Sequence, residues 1–187
     1  SDTEVLIKFI YYEGIKNINK LEGMWAFVLY DRKKDKVILC KDRFGEKPLF
    51  FLKKNKNIYF ASEISQIKKL IPFKLDINQD YLKKYLFTSY RNLNKTNETI
   101  YKHLYKVEKG YYIEIYKSLN IVKKKYFKFK QKTKTQSYKN ITTNIKKILI
   151  SNSKKTLNSD VPLAFCLSGG VDSSSLAAIA KIILKKN

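Results

Sequence analysis

One stretch constrains what this chain can fold into more than any other: Pro162-Leu163-Ala164-Phe165-Cys166-Leu167 running into Ser168-Gly169-Gly170-Val171-Asp172-Ser173-Ser174. The apolar run reads as a short buried strand, and the glycines as a tight turn. Beyond them Leu176, Ala177, Ile179, Ala180, Ile183 and Leu184 share one face at the helical period, so a helix follows. A strand that delivers a Gly-Gly turn to a helix N-terminus builds an anion site. Backbone amides and the positive end of the helix dipole converge there, and glycine lets the backbone approach a phosphate. The hydroxyls of Ser168, Ser173 and Ser174 can add donors. A Walker A loop is excluded, because that pattern closes on Gly-Lys-Ser/Thr and this turn holds no lysine.

The spelling SGGVDSS, set between a strand and an apolar-faced helix, resembles the PP-loop of the N-type ATP pyrophosphatases. That resemblance implies splitting of ATP into AMP and pyrophosphate to adenylate a carboxylate or a carbonyl-type oxygen.

A chain of 187 residues makes one or two domains, and 44% hydrophobic with 14% aromatic residues is enough for a real core. No apolar run reaches the roughly 18 residues of a membrane span. The start, Ser1-Asp2-Thr3-Glu4, has no basic region followed by an apolar stretch, so no signal peptide is read there. Cys40 and Cys166 each fall inside an expected strand and read as small buried hydrophobes in a reducing compartment. The net charge of +23 raises the question of nucleic acid. Lysine, however, is scattered through every kind of segment, and arginine is confined to Arg32, Arg43 and Arg91. A general drift toward Lys, Ile and Asn explains the charge better than a built interface, although weak adhesion to polyanions is expected.

Taken in order, residues 3–12 read as an amphipathic helix capped by Asp2 or Thr3, interrupted by Gly14 and followed by a short helical piece through Ile18. Residues 24–30 read as a fully buried strand, 31–35 as a hairpin turn and 36–41 as its partner. A charged loop, 42–48, precedes a hairpin of 49–52 with 58–61. Ser62 is expected to cap a helix over 63–70, and another polar cap a helix over 78–87. Strands follow at 100–107, 111–116 and 121–127. The segment 128–139 has no apolar periodicity and marks a domain boundary, after which Ile141, Ile145, Ile148 and Leu149 set a helix. The division adopted is 1–130 and 131–187.

The runs LEGMWAFVLYD, DRFGEKPLFF, FASEI, TIYKHLYKVEKGYYIEI and SDVPLAFCLSGGVDSSSLAAIA, in this order, resemble glutamine-hydrolysing asparagine synthetases. The resemblance implies an α/β fold. Its first part is an incomplete αββα N-terminal-nucleophile glutaminase (type-2 glutamine amidotransferase) domain, and its second is the opening α-β-α elements of a PP-loop ATP pyrophosphatase domain. It further implies release of ammonia from glutamine by an amino-terminal cysteine, activation of aspartate with ATP and Mg²⁺, and formation of asparagine, glutamate, AMP and pyrophosphate. A cytoplasmic enzyme, homodimeric when whole, is what the family leads one to expect.

Residue by residue, the resemblance assigns Asp2 to the α-amino group of glutamine, where a carboxylate meets a cation. It assigns Leu167, Ser168, Gly169, Gly170, Val171, Asp172, Ser173 and Ser174 to ATP, with Asp172 as a candidate Mg²⁺ ligand or simply a favourable charge at the helix start. No catalytic residue carries over: Ser1 is not cysteine, and neither Cys40 nor Cys166 has a free amine beside it. The chain therefore reads as an internal piece of a longer enzyme, inactive by itself. Asp42, Arg43 and Glu63 read as structural braces, and His103 as a packing or surface residue on an alternating strand. Two alternatives stand: a related ligase with another acceptor (β-lactam synthetase-like, or an amidotransferase of surface sugars or peptides), and a basic nucleic-acid-binding or tRNA-modifying PP-loop protein.

Overall fold

Alternation decides the architecture of the first unit. The computed structural model describes residues 1–88, 96–129 and 135–185, and the chain divides into Ser1–Lys130 and Gln131–Asn187. The first unit carries β1 (Ala26–Asp31), β2 (Lys36–Lys41), β3 (Phe50–Lys54), β4 (Asn57–Ala61), β5 (Leu104–Lys106), β6 (Tyr111–Tyr116) and β7 (Ile121–Lys125). They form two antiparallel sheets, ordered β1-β2-β6-β7 and β4-β3-β5. Because successive side chains point to opposite faces, Leu39, Ile113 and Ile115 of one sheet meet Phe51, with Leu49 and Val107, from the other. On the far side of the first sheet, Ile38, Cys40 and Tyr112 take Leu6, Phe9 and Ile10 of α1 (Asp2–Glu13) and Ile18 of a 3₁₀ turn. On the far side of the second, Leu52 and Leu104 pack on Ile67 of α2 (Ile64–Leu70). The layers thus run helix, sheet, sheet, helix. Each fully buried Leu or Ile contributes about 1.5–3 kcal/mol to holding them together.

A further helix, α3 (Gln79–Thr88), is capped by Asn78, whose side chain accepts from the amide of Tyr81 at 3.1 Å. The second unit contains α4 (Tyr138–Thr156), capped by Ser137, and α5 (Val171–Leu184). Between them lies an apolar groove of about 640 Å³, lined by Ile145, Leu149, Ile179 and Ile182 among others. Among the described residues no helix is long and apolar enough to cross a membrane.

Several expectations are corrected. The strand expected over 24–30 begins at Ala26 and is half-buried rather than fully buried, because β1 is the edge of its sheet and Tyr30 faces solvent. Ser1, not Asp2 or Thr3, precedes α1, and its side chain makes no cap bond. Glu63, rather than Ser62, stands at the N-cap of α2. The strand expected over 100–107 shrinks to β5, with isolated bridges at Tyr101 and Glu98. His103 lies exposed in the turn before β5 with φ 63°, not on a strand. Most of all, 162–167 forms no ladder and lies exposed, Cys166 included, since a strand's hydrogen bonds come from a neighbour and none is found in this unit among the described residues. Part of the expected boundary segment, 130–134, lies outside the described residues.

Within the strands, buried charge gathers around Glu114. Glu114 replaces an apolar residue on the helix-facing side of β6, and its side chain is 3% exposed. It is paired with Lys36 of β2 and, at 2.6 Å, with Lys124 of β7, and it accepts from the Tyr116 hydroxyl at 3.0 Å. Burial alone would raise its pKa, but these three hydrogen bonds outweigh burial and lower it from 4.5 to about 2. Removing one partner of such a buried pair strands the other charge. Glu114→Ala is therefore expected to destabilise the first unit by about 3–5 kcal/mol, whereas Glu13→Ala, at the exposed pair with Lys20, should cost at most about 1 kcal/mol. Since the folded-state pKa is depressed, the contribution is full above the ordinary carboxylate pKa and fades as pH falls toward 2. Urea melts taken between those limits should show wild type losing stability with acid and Glu114→Gln losing less.

Candidate functional site

Two places carry the candidate residues, one in each unit. In the first, Asp2 occupies the first turn of α1, exposed, beside Glu4. With no side-chain cap from Ser1, the amide end of α1 favours a carboxylate electrostatically, and Asp2 is held on a rigid helix rather than a loop. The expectation that Asp2 could serve as the cap itself fails, because it already lies inside the helix. The helix is fixed in turn by Leu6, Phe9 and Ile10 against the sheet, with Gly14 (φ 80°) ending it and sending its amide to the carbonyl of Ile10 at 3.0 Å.

In the second unit, 161–167 leads to the turn without regular secondary structure. Gly169 has φ 79°, a left-handed conformation that costs a residue with Cβ about 1–2 kcal/mol, so glycine is required there for its backbone. Gly170 then takes an extended conformation (φ −75°, ψ 155°) as the N-cap of α5 and supplies no side-chain cap. The amides of Val171, Asp172 and Ser173 consequently have no partner within the helix, while Ser174 makes the first intrahelical bond, to the carbonyl of Gly170 at 3.1 Å.

The serines do more than the sequence alone implies. Ser173 Oγ donates to the carbonyl of Gly170 at 3.2 Å, lies 3.2 Å from Ser168 Oγ, and accepts from the amide of Ser168 at 3.4 Å. These contacts draw the two ends of the turn together, so Ser168, Gly169, Gly170 and Ser173 form one closed loop at the helix start. Leu167 and Val171 are exposed beside it, and Asp172 lies in the first turn of α5. Chemically this is a cradle for an anion: three free amides and a dipole, on a loop that the Ser168 and Ser173 hydroxyls close. For a metal ion the local donor set is thin. Among the described residues no three His, Cys, Asp or Glu side chains gather, so any Mg²⁺ here would take most of its ligands from the phosphates and water, with Asp172 the nearest carboxylate in sequence.

The two cysteines differ sharply. Cys40 is fully buried between sheet and helix, and burial pushes its thiol up to about 12, so it holds no thiolate at neutral pH. Cys166 is exposed two residues before the turn. Sequence reasoning missed two features. The Glu114 cluster was signalled by a lone acid in the apolar alternation YYIEIY. The Ser168–Ser173 bridge had no such signal, because it depends on how the turn closes. The Asp42 brace was read correctly: Asp42 is 1% exposed and its carboxylate accepts the amides of Phe44, Gly45, Glu46 and Lys47.

Comparison with known proteins places the chain in a family. Residues 1–127 match the model of a glutamine amidotransferase domain, and residues 144–187 match that of asparagine synthase. The chain is 30% identical to asparagine synthetase [glutamine-hydrolyzing] 1 of Bacillus subtilis, over 97% of its own length and 28% of that protein's. It is 29% identical to putative asparagine synthetase [glutamine-hydrolyzing] 2 of Methanocaldococcus jannaschii, over 97% of this chain and 35% of the relative. It is 28% identical to the amidase chry2 of Gibberella zeae, over 100% of this chain and 27% of the relative. The chain thus spans about a third or less of each.

The geometry sets a direct test of the loop's exposure. Iodoacetamide is expected to modify Cys166 alone in the native chain and both cysteines in denaturant, as read by peptide mass. Rapid native labelling of Cys40 would contradict the core described above.

Proposed function

The chain belongs to the glutamine amidotransferase domain family, and from that membership we propose that the whole protein is a glutamine-dependent, ATP-consuming ligase that makes asparagine from aspartate. The observation that carries this reading is the succession, in one chain, of a glutamine amidotransferase match over 1–127 and an asparagine synthase match over 144–187. The layered first unit is read as the rear of an N-terminal-nucleophile glutaminase and the second as the opening of a PP-loop domain. The anion cradle ahead of α5 supports the latter, because its donors suit a pyrophosphate group.

On this reading Asp2 binds the α-amino group of glutamine and fixes which end of the substrate faces the nucleophile. Ammonia then passes to the second site. There the aspartate side-chain carboxylate attacks the α-phosphorus of ATP, pyrophosphate leaves, and ammonia displaces AMP from the mixed anhydride. The amides of Val171, Asp172 and Ser173 hold the departing pyrophosphate and favour the charge that builds on it, and the hydroxyls of Ser168 and Ser173 keep the loop closed around it. Mg²⁺ neutralises phosphate charge when bound, and Asp172 is the residue nearest in sequence to hold it.

A second reading keeps the same two halves for another acceptor; the match to a protein named an amidase rather than an asparagine synthetase leaves room for it. Pyrophosphate release by the whole protein separates the two: dependence on aspartate supports asparagine synthesis, and release only with a different carboxylate supports the alternative. Release with neither, in the presence of ATP and ammonia, would overturn the ligase reading. Asp2→Ala is expected to lower glutamine-dependent turnover about 10- to 100-fold in kcat/KM while leaving ammonia-dependent synthesis intact. Gly169→Ala should weaken ATP-dependent pyrophosphate release about tenfold with either nitrogen source.

A further inference from the structure

The loop that follows β2 joins the sheet to two distant stretches of chain. The backbone amide of Asp42 donates to the carbonyl of Trp25 at 2.9 Å, and the carbonyl of Asp42 accepts from Gly110 at 3.1 Å. Gly110 in turn accepts the amides of Tyr126 at 3.0 Å and Phe127 at 3.2 Å, and the Tyr126 hydroxyl donates to the carbonyl of Lys41 at 2.6 Å. Arg43 joins the same stretches through its side chain. Its Nη2 donates to the carbonyls of Asn19, at 3.1 Å, and Leu21, while its guanidinium carbon lies 5.3 Å from the centre of the Phe127 ring. Phe127 meets Phe44 and Phe129 edge-on, with ring centres 6.1 and 5.9 Å apart.

Asn19 and Leu21 end the 3₁₀ turn behind α1, and the next residues, through Gly23 and the exposed Met24, enter β1. Phe127 and Phe129 are the last aromatic residues before the first unit closes at Lys130. One planar cation therefore touches both the chain that supports α1, where Asp2 stands, and the chain that leaves toward the second unit.

We propose that Arg43 is a positioning residue that ties the Asn19–Trp25 segment to the exit segment Tyr126–Phe129 and so couples ammonia release to its use. The coupling role rests on the ligase reading above. Arginine is required because a flat guanidinium can serve two carbonyls at its edge while its face lies over a ring, and an ammonium cannot do both. The carbonyls of Asn19 and Leu21 are left with water in its absence, and the segment before β1 gains freedom.

Trp25, the only tryptophan of the chain, reports on that segment directly. In the 187-residue chain, Arg43→Lys and Phe127→Ala should each increase acrylamide quenching of Trp25 about twofold, and the double variant should do no more than either single one. Unchanged quenching in Phe127→Ala, or fully additive effects, would overturn the tie. In the whole protein Arg43→Lys should leave ammonia-dependent synthesis at the wild-type rate while the ratio of glutamate released to amide formed rises several-fold. A wild-type ratio, or an equal loss with ammonia and glutamine, would overturn the coupling role. If wild type itself forms no amide from glutamine, the ligase reading fails and the coupling role falls with it, whereas the tie stands or falls on Trp25.

Discussion

The first unit depends on a carboxylate with nowhere else to go. Asp42 sits where the chain leaves one sheet and crosses to the other, and it is almost wholly removed from water. A buried carboxylate without partners would be costly, so the backbone folds around it: four successive amides, from Phe44 to Lys47, turn toward its two oxygens. That turn demands a glycine at its second residue. Gly45 has φ 76°, and a Cβ there would stand 2.9 Å from Cβ of Lys109, too close to be accommodated. The sheet-to-sheet crossing, the start of β1 and the turn at Gly110 all take their hydrogen bonds from the same few atoms.

A second constraint is that a chain of 39 basic and 16 acidic residues must place its few carboxylates with care. Glu114 and Asp42 are spent inside, one among lysines and one among amides, and Glu108 pairs with Lys123 at the rim. For Glu108 burial opposes ionisation, but hydrogen bonds from Lys123 and Asn97 outweigh it and hold its carboxyl below the usual range. Lysines elsewhere cover aromatic rings: Lys54 lies 4.1 Å from the centre of Phe73 and Lys68 4.5 Å from that of Tyr101. Such contacts place charge on the surface without a carboxylate partner. Lysine occurs on helices, strands and turns of both units, which matches its scatter in the sequence better than a single basic face would.

The sequence was most legible where local chemistry is self-sufficient. The alternation of β2 and β6, the Asp35 turn, the Asn78 cap and the Gly14 stop each state their geometry within a few residues. Legibility failed where a partner decides the outcome. β1 looked fully buried because its residues are apolar, but burial on both faces of a strand depends on its place in the sheet, and this one is an edge. The 162–167 run looked like a strand for the same reason and joins no ladder among the described residues. At the candidate sites the glycine turn and helix start were plain from spacing, whereas the Ser168–Ser173 bridge and the grip of Arg43 on two carbonyls come from chain closure, which no short pattern encodes.

That unpaired run has a colloidal consequence. Residues 161–167 expose Val161, Leu163, Phe165 and Leu167 without a single charge, an apolar run that favours contact with its own copy in another molecule. What stands against such pairing is repulsion between chains that each carry +23. Repulsion of that kind reaches about 10 Å at 0.1 M salt and about 3 Å at 1 M. Added salt therefore weakens the repulsion that holds copies of this chain apart.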